Sequence, residues 1–414
     1  MEKKKIIYLL LFINCSSFFF GFFFLEEHGA SILDATEHTY PAINALKINF
    51  LENIINYGKF GENSYPLHHI IFAFLNPFEP GSFFFKLISI FWSFASIYLL
   101  FLVIKKRLKF SNLESIFLSS ILLLSPYFRS SGYWGMTENT GILFLILSIF
   151  FYLELRKNMS YLNIFFVCLF SSLALYSRIQ YVFICLFYFI DLFFTLTNVK
   201  RKFLILCYSI LSIPALYLIY IWGGIIDEQT TGEFNSLINF DTIPRTFFAI
   251  LSLVGFYSLP FLICLNKDYI NLLKKYFIKY FISLFFLISM FYFSEIDILS
   301  LNEKRDYVYG QGFIANITYK ITKIQISYLL FSAIGLNIIL SLFQYSIKNK
   351  ILIVAFFTFF SLRVHFFTEY LDPLLFILAL GCLTIKNISE LKKLRNLLIF
   401  EIFFILTLIG AILI

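Results

Sequence analysis

The sequence predicts an all-α, polytopic helical membrane protein of about thirteen transmembrane helices with a long first extracytoplasmic loop. Three observations carry this prediction. Of 414 residues, 60% are hydrophobic, 21% aromatic and only 14% charged, with a mean hydropathy of +0.83. The apolar residues form runs of roughly 17–25 positions, long enough to cross a hydrocarbon core as helices. Between successive runs, basic clusters alternate with acidic loops. A transmembrane barrel would show short alternating segments instead, so helices that satisfy their own backbone are the expected spanning elements. The whole chain, 1–414, reads as one integral membrane domain.

In order, spans are expected near 6–25, 82–104, 113–128, 139–155, 161–176, 179–197, 203–222, 246–265, 280–294, 324–346, 351–367, 370–385 and 396–414. The first follows Lys3-Lys4-Lys5, as a signal peptide would, but it is long and lacks a small-residue cleavage site, so it reads as a retained helix. The first loop, 26–81, contains 41–56, where Ile43, Leu46, Ile48, Leu51, Ile54 and Ile55 fall at near-helical spacing. That spacing predicts a short amphipathic helix lying on the membrane surface. The segment 67–78 is apolar but too short to cross, and reads as re-entrant or interfacial.

Charge gives the orientation. Lys3 to Lys5, Lys105 to Lys109, Arg156-Lys157, Lys200 to Lys202, Lys274-Lys275, Lys348 with Lys350, and Lys392 to Arg395 all fall on one side of the predicted spans. Basic loops stay in the cytoplasm. The expected protein is therefore a multi-pass protein of the inner (plasma) membrane, with a cytoplasmic N-terminus and with most of its acids and all five histidines at or near the outer face. The net charge of +8 is spent on topology: no basic face carries aromatic stacking platforms, so nucleic acid is not an expected partner. No phosphate-binding glycine loop appears, and cytoplasmic loops are too short for a nucleotide-binding domain. The six cysteines lie inside apolar runs and suggest neither disulfides nor a metal site. No cofactor is indicated, and with no paired acidic ligands a divalent metal is optional.

Residues suited to chemistry cluster in the outer loops. Asp34, Glu37 and His38 place two carboxylates and an imidazole just after the first span, where a carboxylate suits a general base on a sugar hydroxyl. The same acids also suit capping of the following helix. His68 and His69 open the short apolar segment; neighbours on a helix point in different directions, which argues against a chelating pair and leaves hydrogen bonding to a sugar or lipid phosphate, or interfacial anchoring. In the turn from Pro126 to Asn139, Arg129, Trp134 and Glu138 suit carbohydrate, although tyrosine and tryptophan there also suit an aromatic belt. Arg178 and Gln180 interrupt two apolar runs; an arginine at that depth needs an anion, either a polyprenyl phosphate or a carboxylate. Arg305 lies in a loop whose Gly310 and Gly312 permit tight turning. Asp191 and Glu401 fall inside spans near the cytoplasmic end and read as interhelical polar contacts.

These blocks, in order, resemble the GT-C glycosyltransferases. The acids after the first span, a surface helix and Ser64-Tyr65-Pro66-Leu67-His68 resemble their first lumenal loop. Pro126-Tyr127-Phe128-Arg129 through Glu138-Asn139, Tyr176-Ser177-Arg178-Ile179-Gln180, Trp222-Gly223-Gly224 and Gly255-Phe256-Tyr257 look like the dolichyl-phosphate-glucose α-1,2-glucosyltransferase family and its bacterial relatives. Two departures stand out. The family has adjacent Asp-Glu, whereas here the acids are separated, leaving the catalytic carboxylate between Glu37 and Asp34, with Glu37 favoured. The family's Arg-Gln pair is split here by Ile179. The resemblance implies a GT-C-like fold and an inverting hexosyl transfer at the outer face. It also implies a polyprenyl-phosphate donor of undecaprenyl type and a lipid-linked or surface glycan acceptor, in cell-surface polysaccharide (lipopolysaccharide, O-antigen) synthesis. Arg178, with Arg305 or Arg129, would hold the leaving phosphate. Two other readings stand beside it: a Wzy-like O-antigen repeat-unit polymerase, and a lipid-linked oligosaccharide flippase. The latter predicts midplane polar residues and repeat symmetry, and neither is evident.

Overall fold

The computed structural model describes residues 2–28, 31–60, 65–222, 243–265, 271, 274–293, 326–361 and 370–413. Among these the chain is helical throughout, with no strand. Among the described residues, five helices are long and apolar enough to cross a membrane: α1 (Glu2–Phe23), α6 (Phe83–Leu108), α9 (Thr137–Lys157), α12 (Asn198–Trp222) and α19 (Leu394–Leu413). Along α12, Leu206, Ile210, Ile213, Leu216, Tyr217 and Tyr220 are all exposed. Such a stripe would be an aggregation surface in water and is at home against hydrocarbon. The protein is a membrane-embedded helical protein.

Two compact units share the chain: one draws on 1–14, 110–126 and 236–414, the other on 15–109 and 127–235. In the second unit α6, α9, α10 (Tyr161–Ser177) and α12 pack in succession, and α11 (Val182–Thr195) packs on α10. Between α1 and α6 the chain forms α2 (Ser31–Asp34), α3 (Tyr40–Ile48), α4 (Phe50–Ile55) and α5 (Leu67–Leu75). The helix expected over 41–56 is thus two helices. Asn49 leaves helical geometry at φ −143° and accepts the Glu52 amide hydrogen, so it ends α3 and caps α4 in one residue. Ile43 and Leu46 turn inward, while Ile48 and Leu51 are outward. Asp191 accepts from the Tyr152 hydroxyl at 2.7 Å and sits 3.7 Å from Arg156, an interhelical contact between α9 and α11.

In the first unit the stretch expected to span at 113–128 is broken. α7 (Asn112–Ser120) gives way to a 3₁₀ turn over Ile121–Leu124, and α8 (Pro126–Trp134) starts afresh. The hydroxyls of Ser119 and Ser120 bond back to the carbonyls of Ile116 and Phe117. Pro126 cannot donate to continue the helix. Likewise only α18 (Leu374–Gly381), eight residues, forms within 370–385. Residues 294, 324–325, 362–367 and 414, at the ends of four expected spans, lie outside the described residues. Asn14 donates to Ser120 Oγ (3.1 Å) and to Glu401 (3.3 Å), and Lys3 donates to the Lys392 carbonyl (2.7 Å), so α1 and α19 share polar partners within this unit.

The tightest crossing in this unit joins α13 (Ile243–Tyr257) to α16 (Ile326–Tyr345). A Cβ on Gly255 would collide with the Phe331 carbonyl, and one on Gly335 with the Leu251 carbonyl, each also lying 3.0 Å from the other glycine's nitrogen. Small residues let two backbones touch where lipid supplies no hydrophobic drive. Ser332 adds a hydrogen bond to the Phe248 carbonyl at 3.2 Å. Gly335→Val is expected to cost about 1–3 kcal/mol by overpacking, read as a lowered melting temperature of the detergent-purified chain. An unchanged melting temperature would show that the crossing is not close-packed.

Candidate functional site

The site grows from the chain just after α2. Residues Ala35–Thr39 form a π-helical turn, closed by the Tyr40 amide bonding to the Ala35 carbonyl. Pro41 explains it. In an uninterrupted α-helix its ring would strike the Glu37 carbonyl and leave it without a donor, and a one-residue bulge relieves both. The turn leaves Glu37 exposed and Asp34 and His38 half-buried. His38 Nδ1 donates to the Phe60 carbonyl at 2.8 Å, and the Tyr40 hydroxyl donates to the Trp134 carbonyl at 2.9 Å. Burial pushes the Tyr40 phenol well above its ordinary range, so it stays a donor.

Phe60 belongs to an aromatic cluster. Tyr57, Tyr65 and Trp222 form its buried centre, with Phe60, Tyr176 and Ile179 packed against it. The Trp222 indole lies nearly parallel to Tyr57 (6.0 Å) and to Tyr65 (5.8 Å), and Tyr176 meets Tyr65 edge-on. Burial, with a smaller effect from Tyr176, pushes the Tyr65 phenol up to about 12. Tyr57 shares a 2.6 Å hydrogen bond with His69 Nδ1. His68 is fully buried. Its Nε2 donates to the Gly135 carbonyl (2.9 Å), which leaves Nδ1 to accept from Thr140 (2.8 Å). Gly135 stands at φ +68°, a left-handed turn between α8 and α9 that glycine adopts without steric cost. Both histidines therefore bind within the protein.

Tyr176 and Ile179 flank Arg178, so the same cluster holds the second candidate turn. Arg178 ends α10 in extended geometry and pairs with Glu138, which also accepts from Ser131 at 3.1 Å. Gln180 is buried beside it. The cluster thus joins the turn carrying Glu37 and His38 to the turn carrying Arg178, through Phe60 on one side and Tyr176 and Ile179 on the other.

Arg129 is placed differently. It is 1% exposed, and a fork-to-fork pair with Glu26 holds it: Nε to Oε1 at 2.9 Å and Nη2 to Oε2 at 2.5 Å. Ser17 accepts from it twice, through its hydroxyl and its carbonyl. His28 sits 2.8 Å from Glu26 Oε1, and Trp134 Nε1 donates to the Glu26 carbonyl. Burial pushes the Glu26 carboxyl up, but the hydrogen bond from His28 and the charge and hydrogen bonds of Arg129 outweigh it, leaving the group below the usual carboxylate range. Lys86 stands 3.6 Å over the Trp134 ring. Trp134 is thereby enclosed by Tyr40, Glu26 and Lys86. Glu26 and His28 were not picked out from sequence; the signal was the pair of acids before His28 at the very end of the first apolar run.

Arg305 and its glycines lie outside the described residues. Among the described residues no three histidine, cysteine, aspartate or glutamate side chains converge as a metal site. The chain matches no family model, no curated protein and no solved structure.

Proposed function

We propose that the protein is a GT-C-type inverting glycosyltransferase of the plasma membrane. It would move a sugar from a polyprenyl-phosphate donor to a lipid-linked or surface glycan at the extracytoplasmic face. One observation carries the reading: the aromatic cluster of Tyr57, Tyr65 and Trp222 ties the turn of Glu37 and His38 to the turn of Arg178. A base, a cation and aromatic surface on one scaffold are what glycosyl transfer from a phosphate needs. Glu37 accepts the proton of the acceptor hydroxyl as its oxygen bonds to the anomeric carbon. The bond from that carbon to the phosphate oxygen breaks on the opposite face, its electron pair leaves with the polyprenyl phosphate, and the configuration inverts. Asp34, half-buried three residues earlier, is the alternative base. Arg178, steadied by Glu138, faces the charge that grows on the leaving phosphate. Arg129 is buried and held by Glu26, so its part is to position the loop that leads into the π-helical turn. In this reading the thirteen-span topology, with the N-terminus in the cytoplasm, puts both turns on the outer side.

The test is mass spectrometry of polyprenyl-linked intermediates after deletion of the gene. An intermediate lacking one sugar, or a build-up of a single-sugar carrier, is the expected result. A complete but unpolymerised repeat unit would instead make the protein a polymerase, or a flippase if that unit is trapped on the cytoplasmic face.

A further inference from the structure

The first unit contains a slot that glycosyl transfer does not use. It has a volume of about 120 Å³ and is walled by Tyr257, Phe261, Ile338, Leu342 and Leu375, with Lys386 at one end. Apolar cavities of this order, ~150 Å³, take up a benzene-sized guest, so the slot has room for a short stretch of a hydrocarbon chain. The walls come from the C-terminal ends of α13 and α16, just past the Gly255–Gly335 crossing, from α14 (Leu259–Cys264), and from α18. The end is built, not frayed. The Asn349 side chain accepts the Thr384 amide hydrogen at 2.8 Å and donates to the Thr384 carbonyl at 2.9 Å. That clamp holds the strip leading to Lys386 against the segment bearing Lys348 and Lys350. Lys386 is exposed, and among the described residues no carboxylate pairs with it.

We infer that this slot binds one chain of an anionic phospholipid from the surrounding bilayer, with the phosphate headgroup at Lys386. The charge pattern selects the occupant: a greasy wall ending in a basic rim matches a hydrocarbon chain ending in an anion. Basic pockets between transmembrane helices on the positive side of a membrane protein hold such headgroups. The slot shares no residue with the Glu37 and Arg178 turns, and its test does not depend on glycosyl transfer.

The full-length chain in neutral detergent is titrated with phosphatidylglycerol or phosphatidylcholine in mixed micelles while its melting temperature is followed. Phosphatidylglycerol is expected to raise the melting temperature saturably and phosphatidylcholine not to. Lys386→Ala should raise the half-saturating lipid concentration about fivefold, and Lys386→Glu should abolish the response. Because Lys386 is exposed, both variants should keep the lipid-free melting temperature of the native chain. Leu342→Trp, which fills the slot, should remove the response with Lys386 in place. An equal response of Lys386→Glu and the native chain overturns the proposal, as does a phosphatidylcholine response matching that of phosphatidylglycerol. A response to a polyprenyl phosphate with none to phosphatidylglycerol overturns the phospholipid assignment.

Discussion

Glu37→Gln is expected to lower sugar transfer by about 10²–10⁴-fold, the range that a positioned general base contributes. The amide keeps the shape of the side chain and cannot take the acceptor's proton. Glu37 is exposed on the π-helical turn, so the change should leave stability within about 0.5 kcal/mol of native, read as a nearly unchanged melting temperature. Loss of activity without loss of stability separates a chemical role from a structural one. Asp34→Asn provides the comparison. If Glu37 is the base, Asp34→Asn falls short of that loss; if the order is reversed, Asp34 is the base. Full activity of both variants, measured as transfer from a polyprenyl-phosphate sugar in membranes, would sink the mechanism. Because the assay reads donor consumption directly, it also separates this reading from repeat-unit polymerisation.

Glu26→Ala is expected to be the most damaging single change to stability, at about 3–5 kcal/mol. It strands the Arg129 guanidinium, almost wholly buried, without its carboxylate. The double variant Glu26→Leu/Arg129→Met should be markedly more stable than Glu26→Ala alone, because a buried ion pair is costly mainly when one partner is removed. Acid makes the same point with no mutation at Arg129. The folded Glu26 carboxyl is held below its ordinary value of about 4.3. Its contribution is therefore complete above that value and is lost as pH falls through the lower folded value. Melting temperatures at pH 7 and pH 3 should differ more for the native chain than for Glu26→Gln. An equal acid response in both would mean that the pair contributes nothing. A Cβ on Gly21 would run into Glu26, Arg129 and Tyr133, so the pair also requires glycine at that point of α1.

Helices were legible in the sequence because their signal is local: long apolar runs bounded by lysines. Their breaks were less so. Pro126 was visible, yet the apolar run from Ile116 to Leu124 masks the 3₁₀ turn, since hydrophobicity alone does not record serine hydroxyls bonding back to the helix. The break at Asn49 had a readable mark, an asparagine followed three residues later by Glu52, and the regular spacing of isoleucines hid it. The turns bearing Glu37 and Arg178 were legible as polar interruptions beside aromatic residues. That one aromatic cluster joins them was not, since Tyr57 and Tyr65 are far along the chain from Tyr176 and Trp222 and only packing makes them neighbours. The opposite fates of two similar arginines follow from the same limit. Arg129 and Arg178 each need an anion, and the sequence does not say that Glu26, 103 residues away, belongs to the first.

The bond from Asn14 to Glu401 links positions 387 residues apart. During synthesis, α1 enters the bilayer long before α19 has been translated. Until then, among the described residues, the carboxamide of Asn14 has Ser120 as its side-chain partner. The first helix is thus held provisionally, and final docking of the first unit awaits the last. In a chain stalled on the ribosome before Leu394, Asn14→Cys should react with a lipid-soluble thiol reagent faster than in the released full chain, where α19 covers it.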